Sequence, residues 1–328
     1  MILSRVLRSK KSAMEAYDRS KIRLLLGALC TAVPAAILSG CGGDTQNDRE
    51  PGGPLLIVVS PHEDDETIMA GGRLYRAAHD GRTRIELIFL SAGEAAGFPG
   101  ACQEESEAEK ERKIRELREE ETRAACGVLG IGPSQIHFLG YPDRGLVADS
   151  WFSDGKRADL LNEAGEQALA GVKDLLPELV PPHAESLTVI TGSFWDAHPD
   201  HRVAYQAARA AAEIVRAQRD IPVTILHAIV HDEIPVDIDY CCLGDLHWPN
   251  PGPRLDPSAL ADFPERPRPP IWDLVQDVTD LVSVRTEALN QHESQVNGWP
   301  ELCMVVFLKR YYLYWMEKTE EAFFREIL

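Results

Sequence analysis

Basic residues are scarce in this chain, and their placement is uneven. Lys and Arg number 34 against 52 Asp and Glu, a formal net charge of −18. Seven of the bases and only two of the acids precede Cys41, which leaves the remainder at −23. No basic run follows residue 41, and so acidic a body repels a phosphate backbone, which argues against nucleic acid as a partner. Apolar stretches fall short of the roughly 20 residues that a spanning helix needs. CxxC pairs are absent. Without Cys30 and Cys41, five thiols remain: Cys102, Cys126, Cys241, Cys242 and Cys303. That odd count argues against a zinc-thiolate site and against a disulfide framework, and leaves one or two bridges open in an oxidising compartment. There is no internal repeat. What is present, 44% hydrophobic and 26% charged residues, suits an ordinary globular chain.

The first forty residues read as an address. A basic segment, Arg19 to Arg23, precedes an apolar run from Leu24 to Leu38, the pattern of an export signal core. The run ends Leu38-Ser39-Gly40-Cys41, which resembles the lipobox of bacterial lipoproteins, where the Cys receives lipid and becomes the new first residue; the alternative is a chance Cys at the end of an apolar stretch. The expectation is a signal peptide over 1–40, with Met14 the more usual start, and lipidation at Cys41. A flexible tether over 41–54 then carries an exported body anchored to the membrane at the cell envelope.

The body alternates strand and helix signals. Leu55–Val59, Ile85–Leu90, Ile136–Leu139, Leu187–Thr191 and Ile225–Val230 read as buried strands. Helical spacing covers Thr67–His79, Glu104–Val128, Ala158–Leu176 and Val203–Arg216. This alternation predicts an α/β core over 55–235, a Rossmann-like, mainly parallel sheet with helices on both faces. Pro249 to Pro270 holds eight prolines in 22 residues and reads as a loop. Two further helices, Leu274–Val296 and an aromatic-rich Leu302–Ile327, complete a helical C-terminal extension over 236–328.

Two polar clusters stand just beyond predicted strands. Ser60-Pro61-His62-Glu63-Asp64-Asp65-Glu66 follows the first strand and opens a helix. A helix N-terminus offers about half a positive charge, too little for four consecutive acids, so a cation is favoured. One His among Asp gives mixed nitrogen and oxygen ligation, the chemistry of Zn²⁺ and its neighbours. Trp195-Asp196-Ala197-His198-Pro199-Asp200-His201-Arg202 follows the strand Leu187–Thr191 and also opens a helix. In open α/β sheets ligands collect beyond the carboxyl ends of strands, so both clusters belong to one edge.

These two stretches resemble the (A/P)HPDDE and HPDH motifs of the PIG-L/LmbE-like zinc de-N-acetylases. Lesser signs are Ala70-Gly71-Gly72, Arg118-x-x-Glu121 with Leu129-Gly130, Gly140-Tyr141-Pro142-Asp143, and His292-x-Ser294-Gln295. Glu63 departs from the pattern, which has Pro there. The resemblance implies one Zn²⁺ per chain held by His62, Asp65 and His201, with Asp64 as general base. His198, as imidazolium, would stabilise the oxyanion or protonate the departing amine. Asp200 is either a second carboxylate orienting an imidazole or a helix N-cap. Arg118 and Asp143 correspond to substrate-contacting positions, with a solvated salt bridge the other reading of Arg118. His292, with Gln295, either closes the pocket over the sugar or is a structural His. His137, His183, His227, His231 and His247 have no clustered partner and receive no role.

The implied activity is a zinc-dependent hydrolase that removes acetyl from an N-acetylated amino sugar or related amide. A metal-dependent ester or phosphoester hydrolase at the same cluster, and a lipoprotein that binds a glycan without reacting, are the alternatives.

Overall fold

The computed structural model describes residues 52–91, 93–94, 106–143, 145–153, 156–196, 198–231, 273–296 and 319–328. The predicted signal, the Pro-rich loop and most of the segment from Leu302 onward lie outside the described residues. Among the described residues no helix is long and apolar enough to cross a membrane.

Strand β1, Leu55–Ser60, is buried along its whole length. Its residues alternate between two cores. Leu56 and Val58 join a cluster with Ile68, Leu74, Ala125 and Leu289, while Leu55, Ile57 and Val59 join another with Val172, Ala207 and Ala211. Both faces are covered, which is why the strand reads as an unbroken apolar run rather than an alternating one. Each such side chain contributes about 1.5–3 kcal/mol on burial.

Helix α1, Asp65–His79, follows β1 and leads to β2, Arg84–Ser91. Helix α2, Glu107–Val128, leads to β3, Ile136–Tyr141; Ser106 caps it by accepting from Glu109 N–H. A hairpin of β4, Val147–Ser153, and β5, Lys156–Leu161, precedes α3, Glu163–Leu179. Then come β6, Leu187–Gly192; α4, Pro199–Gln218; β7, Val223–Ala228; and β8, Leu274–Asp277. The described chain closes with α5, Val282–Gln291; α6, Glu293–Val296; and β9, Glu320–Ile327. The main sheet has seven strands in the order β3-β2-β1-β6-β7-β9-β8. The first five are parallel, and β9 pairs antiparallel with both β7 and β8. This is the expected α/β architecture, mostly parallel with helices around the sheet.

Chain order reverses between β1 and β6: β1 runs out to β2 and β3 on one side, and β6 to β7 on the other. That is a topological switch point, and the crevice at the carboxyl ends of β1 and β6 is where such a sheet takes a ligand.

Three expectations need correction. The helix predicted from Ala158 begins at Glu163, because Lys156–Leu161 is a strand of the hairpin and Asn162 caps the helix by accepting from Gly165 N–H at 2.9 Å. Among the described residues, the C-terminal addition is helical in a short 3-10 turn, Thr279–Leu281, and in α5 and α6. Leu274–Asp277 and Glu320–Ile327, read as helix, are strands that extend the sheet. Phe323 and Phe324 are adjacent and both buried, the pattern of a strand covered on both faces rather than of an aromatic stripe on a helix. Of the five body thiols only Cys126 is described, buried and free.

Candidate metal centre and active site

The loop leaving β1 is fastened before it reaches the helix. Ser60 Oγ donates to the His62 carbonyl at 2.8 Å, and Ser91 N–H, from the end of β2, donates to the Pro61 carbonyl at 3.1 Å. Asp64 occupies the N-cap of α1 with φ 112° and ψ −30°, the only non-glycine at positive φ among the described residues. A side chain there carries backbone strain of order 1–3 kcal/mol, which the surroundings must hold in place. The Asp64 carboxylate makes no cap hydrogen bond; instead Glu66 Oε2 accepts from Asp64 N–H at 3.0 Å.

The second cluster arrives from β6. Gly192 ends that strand, and a Cβ on it would stand 2.9 Å from both the Cβ and the carbonyl oxygen of His201. Only a glycine lets the first turn of α4 sit so close, and that contact sets His201 beside the end of β1. His198 is the N-cap of α4, its Nδ1 accepting from Asp200 N–H at 3.2 Å, with Pro199 in the first turn. Asp200 is therefore inside the helix, and its N-cap reading falls. Because Nδ1 accepts, the His198 proton sits on Nε2. Burial, followed by the charges of His62, His231 and His201, holds this ring well below the ordinary histidine range, so the neutral form is favoured over the imidazolium expected from sequence.

Three ligand-type atoms converge at the switch point. Asp65 Oδ2 lies 3.1 Å from His62 Nδ1 and 3.1 Å from His201 Nε2. His62, Asp65 and His201 each offer one such atom, all within 4.8 Å of one another. His201 is fully buried, yet neither ring nitrogen makes a hydrogen bond of acceptable geometry. Two imidazoles and one carboxylate around a shared space, with an orphaned buried nitrogen among them, fit a divalent cation of the zinc type and suit a hard cation such as Ca²⁺ poorly. Their protonation agrees. Burial would raise the Asp65 carboxyl, but His201 and His62 hold it well below the usual carboxylate range. Burial would lower the His62 ring, but Asp143, Asp200 and Asp65 outweigh it and hold the ring well above its ordinary value. A carboxylate held ionised against a ring that holds its proton is an arrangement in which a cation can take the proton's place.

The far nitrogen of each imidazole faces a carboxylate. Asp200 Oδ2 is 3.3 Å from His62 Nε2, with Asp143 Oδ1 at 3.2 Å from the same atom, and Asp196 Oδ2 is 3.3 Å from His201 Nδ1. Such outer carboxylates set the tautomer and orientation of a ligating histidine.

Asp196 and His231 escape the sequence reading. Asp196 is fully buried; its Oδ1 accepts from His198 N–H at 2.8 Å and faces His231 Nδ1 at 3.0 Å, while Oδ2 accepts from Val230 N–H at 2.7 Å. His231 lies tilted beside His198 and meets His201 edge-on, with centroid distances of 5.0 and 4.5 Å. The signal that finds it is topological: His231 lies just past β7, the neighbour of β6, so it faces the same crevice. No local motif marks it.

The other candidates separate. Asp143 reaches the cluster through His62, its N–H donating to Glu94 Oε1 at 3.1 Å. Arg118 is buried, against the solvated reading, and its guanidinium turns toward Glu63, Asp64 and Gly93. His292 is fully buried, with its Nε2 3.7 Å from Glu66 Oε1. Gln295 is buried beside it, donating to Ser294 Oγ, while Ser294 donates to Glu121 at 2.7 Å and ties α6 to α2.

Comparison with known proteins gives this geometry relatives. A family profile described as PIG-L, GlcNAc-PI de-N-acetylase, matches residues 57–212, which spans both clusters. The chain is 26% identical over 261 residues to the 1D-myo-inositol 2-acetamido-2-deoxy-alpha-D-glucopyranoside deacetylase of Actinosynnema mirum, covering 76% of this chain and 83% of that protein. Among solved structures, the N,N'-diacetylchitobiose deacetylase of Pyrococcus horikoshii is similar with a TM-score of 0.46 and 17% identity, covering 84% of this chain and 83% of the other. A hydratase, the 4-carboxy-2-hydroxymuconate hydratase of Pseudomonas putida, is similar with a TM-score of 0.45 and 20% identity, over 80% of this chain and 83% of the other. With both halves of the cluster inside the matched span, the chain carries a PIG-L family domain and is homologous to the N-acetylglucosaminyl-inositol deacetylases.

Proposed function

We propose that the protein is a metal-dependent N-deacetylase acting on an N-acetylated amino sugar or a related amide. The observation that carries this is the convergence of His62 Nδ1, Asp65 Oδ2 and His201 Nε2 beside the strained Asp64. The homologous deacetylases support the reaction class.

In this reading His62, Asp65 and His201 would hold one Zn²⁺, and three protein ligands leave a coordination place open. When bound, the ion supplies Lewis acidity to the scissile carbonyl and to the attacking water. Asp64 takes the proton from that water and returns it to the departing nitrogen as the C–N bond breaks; as an acid that makes no cap hydrogen bond to its helix, adjacent to a ligand but outside the trio, it is placed for this work. His198 donates its Nε2–H to the oxyanion as a neutral ring. Asp200 and Asp196 orient the two ligating imidazoles. Asp143, against His62, lines the approach to the cluster.

The exported, lipid-anchored form belongs to this proposal too, with Cys41 as the attachment point and 1–40 removed. Mass spectrometry of the N-terminal peptide from the membrane fraction tests it; an unmodified Cys41 would defeat it.

Acetate release from a panel of N-acetylated sugars and cell-wall fragments, with and without chelator, tests the activity. Release that survives exhaustive chelation, or zinc-loaded protein that binds such sugars without releasing acetate, defeats the reading.

A further inference from the structure

Glu63, the one departure from the family pattern in the first motif, is fully buried, and neither of its carboxylate oxygens makes a hydrogen bond. Its nearest cation is Arg118, whose Nε lies 3.5 Å from Glu63 Oε2. Arg118 rises from α2 with 2% exposure. Its Nη1 donates to the Gly93 carbonyl at 2.7 Å, and its Nη2 donates to the Glu63 carbonyl and stands 3.8 Å from Asp64 Oδ2. The loop beyond β2 is shaped to admit it: Gly93 has φ 64°, and a Cβ there would lie 1.7 Å from Arg118 Nη1.

The Glu63 carbonyl and the Asp64 N–H belong to one peptide group. Arg118 holds the oxygen end, and Glu66 Oε2 accepts from the nitrogen end at 3.0 Å. Fixing both ends fixes the plane, and the plane sets φ of Asp64, the strained residue between His62 and Asp65. A buried guanidinium needs a counter-charge. Proline at position 63 would supply none, and the nearest acid would then be Asp64 itself.

We propose that Arg118 and Glu63 form a positioning pair that clamps the Glu63–Asp64 peptide and so sets the metal ligands on either side. Glu63 supplies the carboxyl group that faces Arg118 Nε, with Oε2 at 3.5 Å. The kinetic half of this inference rests on the deacetylase reading; the metal-binding half does not.

The test uses the full-length chain, with zinc affinity measured by competition against a chromophoric chelator, thermal midpoint, and kcat and KM on an acetamide that the parent cleaves. R118M should weaken zinc binding about tenfold or more, the range seen when outer partners of metal ligands are lost. It should lower kcat and leave KM within twofold. R118K should recover part of the loss, since an ammonium can reach a carbonyl but cannot fork across two. The double variant E63Q/R118M, which removes the orphaned carboxylate, should regain thermal midpoint but not zinc affinity. R118M that binds zinc within twofold of the parent would overturn the clamp. So would a rise in KM at unchanged kcat, or a double variant with parental zinc affinity. A parent that binds zinc but cleaves no acetamide sinks the deacetylase reading alone, and the zinc measurements still decide the clamp. A parent that binds no zinc overturns both.

Discussion

Replacing Asp196 by asparagine isolates the carboxylate that organises the second half of the site. One side chain serves two crowded oxygens. Oδ1 meets His198 N–H and His231 Nδ1, and Oδ2 meets Val230 N–H, His231 N–H and His201 Nδ1. An amide keeps one oxygen and turns an NH₂ toward the other set. Whichever way it flips, at least one backbone N–H that now donates at 2.7 or 2.8 Å faces another donor. Hydrogen bonds to a charged group are worth about 1.5–3 kcal/mol each, and breaking a buried charged network costs about 3–5 kcal/mol. The substitution D196N should therefore cost about 3 kcal/mol of stability, read as a lower urea midpoint at unchanged slope. His201 also loses the partner that directs Nε2 toward Asp65, so zinc affinity should fall about 10–100-fold. The assay is zinc competition on protein held well below its unfolding transition, so that affinity and stability are read separately. D196N that binds zinc within threefold of the parent would refute the claim that this carboxylate orients a ligand.

Other expectations follow from the same geometry. D64N should keep zinc and lose about 10²–10⁴-fold in acetate release, since the ligand trio is untouched while the proton acceptor is gone; turnover at the parental rate would remove Asp64 from its role. H201A should lose stoichiometric zinc, measured by metal analysis after gel filtration. G192A should lower the thermal midpoint and weaken zinc binding, because the added methyl meets His201 backbone and Cβ at 2.9 Å, an overpacking of about 1–3 kcal/mol. Stability should also fall with pH in a defined window. Burial holds His227 at about 4, beneath the 6.5 of an unfolded histidine, so protonation favours the unfolded chain. The contribution is intact above about pH 6.5 and is lost as pH falls toward 4, up to about 3 kcal/mol. H227F should flatten that part of the stability profile, and an unchanged profile would clear His227 as its source.

Much of this protein was legible in local sequence, for a physical reason. Strands buried on both faces read as mostly apolar runs: Leu55–Val59 is unbroken, Ile85–Leu90 is interrupted only by Glu86, and Leu187–Thr191 carries Thr188 and Thr191 among apolar residues, so the parallel core announces itself. The two polar clusters were legible because each follows such a run and opens a helix, which in this architecture directs both to one sheet edge. The C-terminal strands were not. Glu320–Ile327 becomes a strand because the edges of β7 and β8 are there to pair with it, and its two adjacent phenylalanines are equally compatible with a helix until that pairing exists.

By itself the sequence determined which chemistry the chain can bring: imidazoles and neighbouring carboxylates, in runs short enough to be read locally. Tertiary structure alone decided their partners. It put His231 and Asp196 behind His201, turned Arg118 inward onto Glu63, and set His292 beside Glu66. Each of those contacts joins residues on different elements, and their distances depend on strand order and helix packing, which no local pattern records.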